Sequence, residues 1–169
     1  MKKLIRIVLM CVTVAAVLAL AVPLAWRLIS GDYYMTVTGE SMVPTYQVGD
    51  VLVVQKPTDH DLTQVGNIVV VTFTPGDRDT QYVHRVHEIT ADGVVLKGDG
   101  NGTPDPNKVT TAQLEGTPRL ALTGPAGTLF QISQQPVTRI IVGVIVVGMI
   151  FVSAALRPTR DARRKLTDA

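Results

Sequence analysis

One serine and three histidines supply the side chains that could do chemistry in the central part of this chain. Ser41 lies in the segment Gly39-Glu40-Ser41-Met42-Val43-Pro44-Thr45, and the histidines are His60, His84 and His87. A serine hydroxyl is a poor nucleophile unless a neighbouring base removes its proton, and histidine is the most frequent base. These residue types indicate nucleophilic serine chemistry. Taken alone, however, a serine between glycine and proline is also an ordinary turn residue.

The three histidines are not equivalent candidates for the base. His60 lies between two aspartates, where a solvated turn residue is the simpler interpretation. His84 and His87 share a predicted strand, residues 81–90, and side chains three apart on a strand point to opposite faces. At most one of the two can face a cleft, and the pattern does not decide which face is wet.

The segment 98–107 contains two aspartates that could orient a histidine base. Such a base needs a partner on its second ring nitrogen, usually a carboxylate. Asp99 lies between glycines and Asp105 between prolines, so the backbone could hold both side chains in fixed directions. The alternative is an Asx-turn loop or a calcium-like oxygen cluster. A full EF-hand loop is excluded, because Thr110 stands where its closing glutamate would be.

Two uncharged apolar runs flank this central segment. Residues 7–26 are long enough to cross a bilayer as a helix, and residues 140–156 lie at the lower edge of that range between Arg139 and Arg157. We predict transmembrane helices at residues 7–26 and 139–156. A cleaved secretory signal peptide is the alternative for the first run, although that run is longer than the usual apolar region of a signal peptide.

The charges are distributed unevenly around these runs. Residues 1–6 and 157–169 are basic, whereas residues 27–138 hold seven Lys or Arg against twelve Asp or Glu. The positive-inside rule therefore predicts a multi-pass protein of the plasma membrane with both termini cytoplasmic and residues 27–138 extracytoplasmic. Next to a span, the basic tail is explained by topology and by attraction to anionic lipid, so we expect no nucleic-acid partner.

The single cysteine, Cys11, lies inside the first apolar run. An intramolecular disulfide is impossible, and the outer domain has no cysteine nucleophile and no thiolate metal site. This excludes a sortase-like transpeptidase. We expect neither a metal ion nor a cofactor.

Between the spans, the pattern is typical of strands. Segments rich in β-branched and aromatic residues, bounded by Gly, Pro or Asp, are residues 34–38, 50–55, 67–73, 81–90 and 93–97. Two continuous apolar runs predict strands covered on both faces, as in a folded-over antiparallel sheet or barrel. We further expect a loop at residues 98–107, one or two short strands within residues 114–130, and no helix between the spans. The predicted fold class is mainly β, flanked by two transmembrane helices.

Taken in order, these segments resemble the type I signal peptidases. Ser41-Met42-Val43-Pro44-Thr45 is similar to the nucleophile box of that family, followed by a strand entry at residues 48–53 and the next box at residues 66–71. Tyr82-Val83-His84-Arg85-Val86 resembles the general-base box, and residues 97–101 with Asp105 resemble the acidic box. Order and spacing agree over residues 34–108.

The resemblance is to the version of the family that carries histidine at the base position, as endoplasmic-reticulum, archaeal and some Gram-positive enzymes do. It implies that Ser41 attacks the scissile carbonyl, that His84 takes its proton and that Asp105 orients His84, while Asp99 supports the site. It also implies activity that falls at acidic pH, because a protonated histidine cannot act as base.

The implied reaction is cleavage of signal peptides from translocated preproteins after small residues, in an Ala-x-Ala pattern, at the outer membrane surface. The implied partners are signal peptides, the lipid bilayer and the secretion machinery. One departure is that Gly39-Glu40 replaces the Ser-Gly of many members, so a hydroxyl that could bind the oxyanion is missing. Two alternatives remain open: an inactive or narrowly dedicated relative, and a non-catalytic membrane-tethered β-domain that binds a partner.

Overall fold

A computed structural model describes residues 2–58 and 60–156 of the 169-residue chain. The described residues fall into two compact units. One unit contains the described parts of residues 1–25 and 132–169, and the other contains residues 26–131. The predicted cytoplasmic tail, residues 157–169, lies outside the described residues.

The two apolar runs form helices α1, Lys2–Ser30, and α3, Pro136–Ala155. Both are long and apolar enough to cross a membrane, by length and composition. Their most apolar windows are 0% and 6% buried, so neither has the burial of a core helix in a soluble protein. Helix α1 is longer than the predicted span at both ends. Helix α3 begins three residues earlier than predicted, because proline is well suited to the first turn of a helix.

Seven antiparallel strands form a sheet within residues 26–131. Their bounds are β1 Tyr33–Thr36, β2 Val51–Gln55, β3 Ile68–Thr72, β4 Gln81–Thr90, β5 Gly93–Lys97, β6 Lys108–Val109 and β7 Leu114–Leu122. The spatial order is β1-β2-β7-β3-β4-β5-β6, so the last strand lies between β2 and β3. The prediction of an antiparallel, mainly β domain is confirmed.

Strand β3 is buried on both faces. Val69 and Val71 pack in one apolar cluster together with Val86, whereas Val70 packs in a second cluster together with Met42. Successive side chains of a strand point to opposite faces, so a continuous apolar run supplies both clusters. Strand β3 therefore lies between two apolar clusters. Strand β4 and the turn that contains Met42 pack against these clusters.

The first strand is shorter than predicted at its carboxyl end. Strand β1 ends at Thr36, and the next residue, Val37, is held by the turn instead. The Val37 amide donates to the Asp50 carbonyl at 2.8 Å, and the Gly49 amide donates to the Val37 carbonyl at 2.9 Å. These two hydrogen bonds close residues 38–48 into a segment that belongs to neither β1 nor β2.

Helix α2, Gly124–Gln134, follows β7. The predictions that residues 114–130 contain only short strands and that no helix lies between the spans are therefore wrong. Glycine and proline give this segment a weak intrinsic helix propensity, so a local pattern did not reveal it.

Tertiary contacts compensate for that weak propensity. The Gln131 side chain donates through Nε2 to the Gly49 carbonyl at 2.7 Å, and the Phe130 ring lies 4.7 Å from the Tyr34 ring. A Cβ atom at Gly127 would lie 2.6 Å from the Leu122 carbonyl oxygen, so glycine is required for this close approach. Residues far from α2 in sequence thus decide that it is a helix.

Strand β7 joins the two parts of the sheet. It pairs with β2 from Thr117 to Leu122 and with β3 through Leu114 and Gly116. Gly116 has a φ of 149°, and a Cβ atom there would overlap the Gln55 carbonyl oxygen. Only glycine permits β7 to pass this close to β2 while it turns to β3.

We expect Gly116→Ala to destabilise the β domain by about 2 kcal/mol or more, because the new methyl group must displace backbone atoms from a strained conformation. Thermal unfolding of the full-length protein in detergent measures the effect. Gly102→Ala is the matched control, since a Cβ atom at Gly102 meets nothing within 4 Å. Equal unfolding temperatures for the two variants would show that β7 can shift without loss of stability.

Candidate active site

Two polar residues of the site, His84 and Arg85, are consecutive in strand β4. His84 is 8% exposed, Arg85 is half-buried, and His87, further along the strand, is exposed. Consecutive strand residues point to opposite faces, so His84 and Arg85 make their contacts on different sides of the sheet. The question that the sequence left open is answered in favour of His84 as the enclosed histidine.

The imidazole of His84 is paired with Asp105. Its Nδ1 atom lies 2.7 Å from Asp105 Oδ2, with the two side chains 10% and 15% exposed. The Asp105 backbone is itself held, because its amide donates to the Leu96 carbonyl at 2.8 Å. In a neutral imidazole, Nδ1–H donates to the carboxylate, so the lone pair is on Nε2 and available to accept a proton.

Tyr82 encloses one side of this pair. Its ring meets the His84 ring edge-on at 5.1 Å and stacks on Phe73 at 4.7 Å. Burial, together with the nearby negative charge of Asp105, raises the pKa of Tyr82 to about 12. The phenol therefore stays protonated at neutral pH and forms an uncharged wall beside His84 and Asp105. A hollow of about 410 Å³ is lined by Phe73, Tyr82, His84, Asp105, Pro106 and Asn107.

Asp99 makes its contacts on the Arg85 side of the strand. Arg85 donates to it through Nε at 2.8 Å and through Nη2 at 2.6 Å, and the Thr45 hydroxyl donates at 2.5 Å. The hydrogen bonds from Arg85 are the main reason that the pKa of Asp99 is held below its ordinary value of 3.8. The carboxylate is thus charged at neutral pH and ties β4 to the turn that contains Ser41.

That turn, residues 39–49, is anchored beside Ser41. Met42 is fully buried in an apolar cluster, and the Tyr46 amide donates to the Met42 carbonyl at 2.9 Å. The Gly100 amide donates to the Ser41 carbonyl at 2.8 Å. Ser41 is therefore fixed from the core side and from the 98–107 loop.

Two glycines permit the loop to lie against the turn. A Cβ atom at Gly98 would overlap the Ser41 carbonyl oxygen, and one at Gly100 would lie 2.9 Å from the Glu40 carbonyl oxygen. Neither position tolerates a side chain without movement of the backbone. The glycines on either side of Asp99 therefore serve close approach between the loop and the Ser41 turn.

Ser41 is half-buried and opens on a hollow different from that of His84. This second hollow has a volume of about 830 Å³ and is lined by Glu40, Ser41, Val43, Gln47, Val48, Gly100 and Asn101. Among the described residues, no hydrogen bond joins the Ser41 hydroxyl to His84. The structure pairs His84 with Asp105 and ties Asp99 to the Ser41 turn, but it does not bring hydroxyl and imidazole into contact.

The remaining candidates lie elsewhere. His60 is exposed in a turn, where its carbonyl accepts from the Thr63 hydroxyl at 2.8 Å. In the part of the chain that the structure describes, no group of three or more His, Cys, Asp or Glu side chains could hold a metal ion. The 98–107 loop contacts Arg85, Thr45 and Ser41.

Sequence reasoning did not single out Arg85 and Thr45 as site residues. Both lie inside segments that it did select, because Arg85 follows His84 and Thr45 ends the segment that begins at Gly39. The sequence signal for Arg85 is weak: an arginine next to the base candidate, on the opposite face of the strand, can pair with one of the two loop aspartates. No such signal exists for Thr45.

We expect Asp99→Asn to loosen the 98–107 loop, because a neutral amide cannot replace the bidentate ion pair with Arg85. Hydrogen–deuterium exchange of the Gly100 amide, which donates to Ser41, should become faster at neutral pH. Asp92→Asn is the control, since Asp92 forms an exposed ion pair with Lys108, outside the 98–107 loop.

The pH dependence has a definite sign. The folded-state pKa of Asp99 is lowered, so its stabilisation is present above its ordinary value of 3.8 and is lost as pH falls through the lower folded value. The difference in Gly100 amide exchange between wild type and Asp99→Asn should therefore shrink under strongly acidic conditions. A difference that stays constant down to those conditions would contradict the ion-pair explanation.

Comparison with known proteins gives one family. Residues 16–116 match the model of the family described as Peptidase S24-like, whereas no curated protein matches the chain. The matched residues make up more than half of the chain and include Ser41, His84, Asp99 and Asp105. The match supports a peptidase, that is, a hydrolase of serine-protease type. This chain belongs to the Peptidase S24-like family.

Proposed function

We propose that this protein is a membrane-bound serine endopeptidase that removes signal peptides from translocated preproteins after small residues. The observation that carries the proposal is the contact of 2.7 Å between His84 and Asp105, on a loop that also binds the turn of Ser41. Membership of the Peptidase S24-like family supports peptide hydrolysis. The resemblance of five segments to type I signal peptidases supports the substrate class.

In the proposed mechanism, Ser41 Oγ attacks the scissile carbonyl carbon while His84 Nε2 takes the hydroxyl proton. The carbonyl oxygen becomes an oxyanion, and Asp105 stabilises the imidazolium through Nδ1–H. His84 then gives its proton to the leaving amine, which departs as the C–N bond breaks. A water molecule, deprotonated by His84, hydrolyses the acyl-enzyme and regenerates Ser41.

This mechanism requires Ser41 and His84, which line separate hollows, to meet when a peptide binds. In enzymes without substrate, catalytic hydrogen bonds are often long or poorly aligned, and they become short in the substrate complex. A bound peptide would lie with its scissile bond between Ser41 and His84. The turn and the loop, tied together through Gly100, are the segments that would adjust.

Membrane attachment completes the proposal. Helices α1 and α3 have the length and composition of membrane spans, which supports two anchors with both termini cytoplasmic and residues 27–138 outside. A site held at the outer surface meets a translocated preprotein while its signal peptide is still in the bilayer. Signal peptides, lipid and the secretion machinery are the partners that this arrangement requires.

We expect Ser41→Ala and His84→Ala each to reduce processing of a co-expressed secreted preprotein by at least about a thousandfold, because serine and base act as a unit. Precursor accumulation in membrane fractions measures the loss. His87→Ala is the matched control, because His87 is exposed on the same strand. Normal processing by both site variants would favour the non-catalytic β-domain that binds a partner.

The missing hydroxyl near the oxyanion gives a second test. No heavy atom lies within 4 Å of a Cβ atom placed at Gly39, so a serine side chain fits there. We expect Gly39→Ser to raise kcat by about tenfold, since one oxyanion donor is worth roughly a hundred- to a thousandfold in rate when it is well placed. The control is Gly102→Ser, in equally open space. An unchanged kcat would mean that the backbone amides already suffice.

A further inference from the structure

Glu40 is the only charged residue among those that line the Ser41 hollow. Its side chain is exposed, and within the described residues it forms no ion pair and no side-chain hydrogen bond. The other lining residues are neutral: Ser41, Val43, Gln47, Val48, Gly100 and Asn101. The hollow beside the nucleophile therefore carries one uncompensated negative charge.

The neighbouring cations do not neutralise this carboxylate. Arg85 is bound to Asp99 through two nitrogens and to the Gly66 carbonyl through the third. Lys97 lines a separate hollow together with Arg85. Within the described residues, neither cation pairs with Glu40, so its carboxylate is available to a charge on a bound peptide.

The position of Glu40 is set by the backbone. Its carbonyl accepts from the Val43 amide at 3.1 Å, and the adjacent Met42 is buried in the core. Glu40 directly precedes Ser41 and lines the same hollow. A carboxylate at this position would attract a positive charge on a bound peptide and oppose a negative charge that develops on an oxyanion.

We propose that Glu40 is a specificity-determining residue that favours substrates with Lys or Arg directly after the cleavage point. The inference rests on the proposed peptidase function and deepens it. A basic substrate residue gains an ion pair with Glu40 and offsets its repulsion of the oxyanion, whereas an acidic one adds a second repulsion. This gives a physical role to the residue that replaces the glycine of the Ser-Gly pair in many type I signal peptidases.

The test uses the full-length protein in a neutral detergent and three otherwise identical signal-peptide substrates. Lys, Gln or Glu is placed directly after the cleavage point, and the small residue before it is kept. At low salt, we expect kcat/KM for Lys to exceed that for Gln by about three- to fivefold, the size of an exposed ion pair. The preference should shrink as salt is added.

Charge variants separate this role from a structural one. Glu40→Gln should abolish the preference, and Glu40→Lys should reverse it in favour of the Glu substrate. Glu88→Gln is the matched control, because Glu88 is an exposed glutamate on β4 that does not line the Ser41 hollow. It should keep the wild-type preference.

The outcomes distinguish the two proposals. Equal cleavage of all three substrates by wild type at low salt would overturn the role of Glu40 and leave the peptidase function intact. A preference that survives in Glu40→Gln, or that is lost in Glu88→Gln, would also overturn it. If wild type cleaves none of the substrates, the proposed function fails and the inference fails with it.

Discussion

The bidentate ion pair between Arg85 and Asp99 is the interaction on which the candidate site depends. Arg85 belongs to strand β4, which also carries His84, and Asp99 belongs to the loop that reaches Ser41. Asp99 accepts from the Thr45 hydroxyl as well, so one carboxylate connects the strand, the loop and the turn. Because Arg85 lowers the pKa of Asp99, the connection is charged under ordinary conditions and stronger than a neutral hydrogen bond.

The loop that follows β5 uses its two aspartates on opposite sides of β4. Asp99 binds Arg85 and Asp105 binds His84, and these two partners are consecutive residues of one strand. A strand exposes consecutive side chains on opposite faces, so a single loop must pass from one side to the other to reach both. The glycines flanking Asp99 and the prolines flanking Asp105 suit this path. The orientation of His84 and the placement of Ser41 are therefore coupled through one segment.

Burial on both sides of β3 explains why this arrangement can be rigid. The turn of Ser41 is anchored by Met42 in one apolar cluster, and β4 contributes Val86 to the other. Both clusters meet at β3, so the two candidate catalytic groups are held relative to the same central strand. The hollow beside Ser41, which Glu40 helps to line, is exposed.

Elements with strong local signals follow from the amino-acid sequence alone. The two apolar runs are helices, and β4 and β5 occupy the residues that alternation and turn signals predict, because hydrophobic pattern and turn chemistry act locally. The candidate residues Ser41, His84, Asp99 and Asp105 also came from sequence, through residue type and resemblance in order and spacing. Their catalytic roles are proposals.

The partner of each candidate residue depends on contacts between segments that are distant in sequence. The choice between Asp99 and Asp105 depends on the path of a loop around β4, and no local pattern encodes that path. Helix α2 was missed for the same reason, since its stability comes from contacts with Gly49 and Tyr34, distant in sequence. The enclosure of His84 and the exposure of His87 likewise follow from what packs on each face of β4. Residue type and spacing identify the candidate side chains, whereas packing between segments distant in sequence determines which of them are in contact.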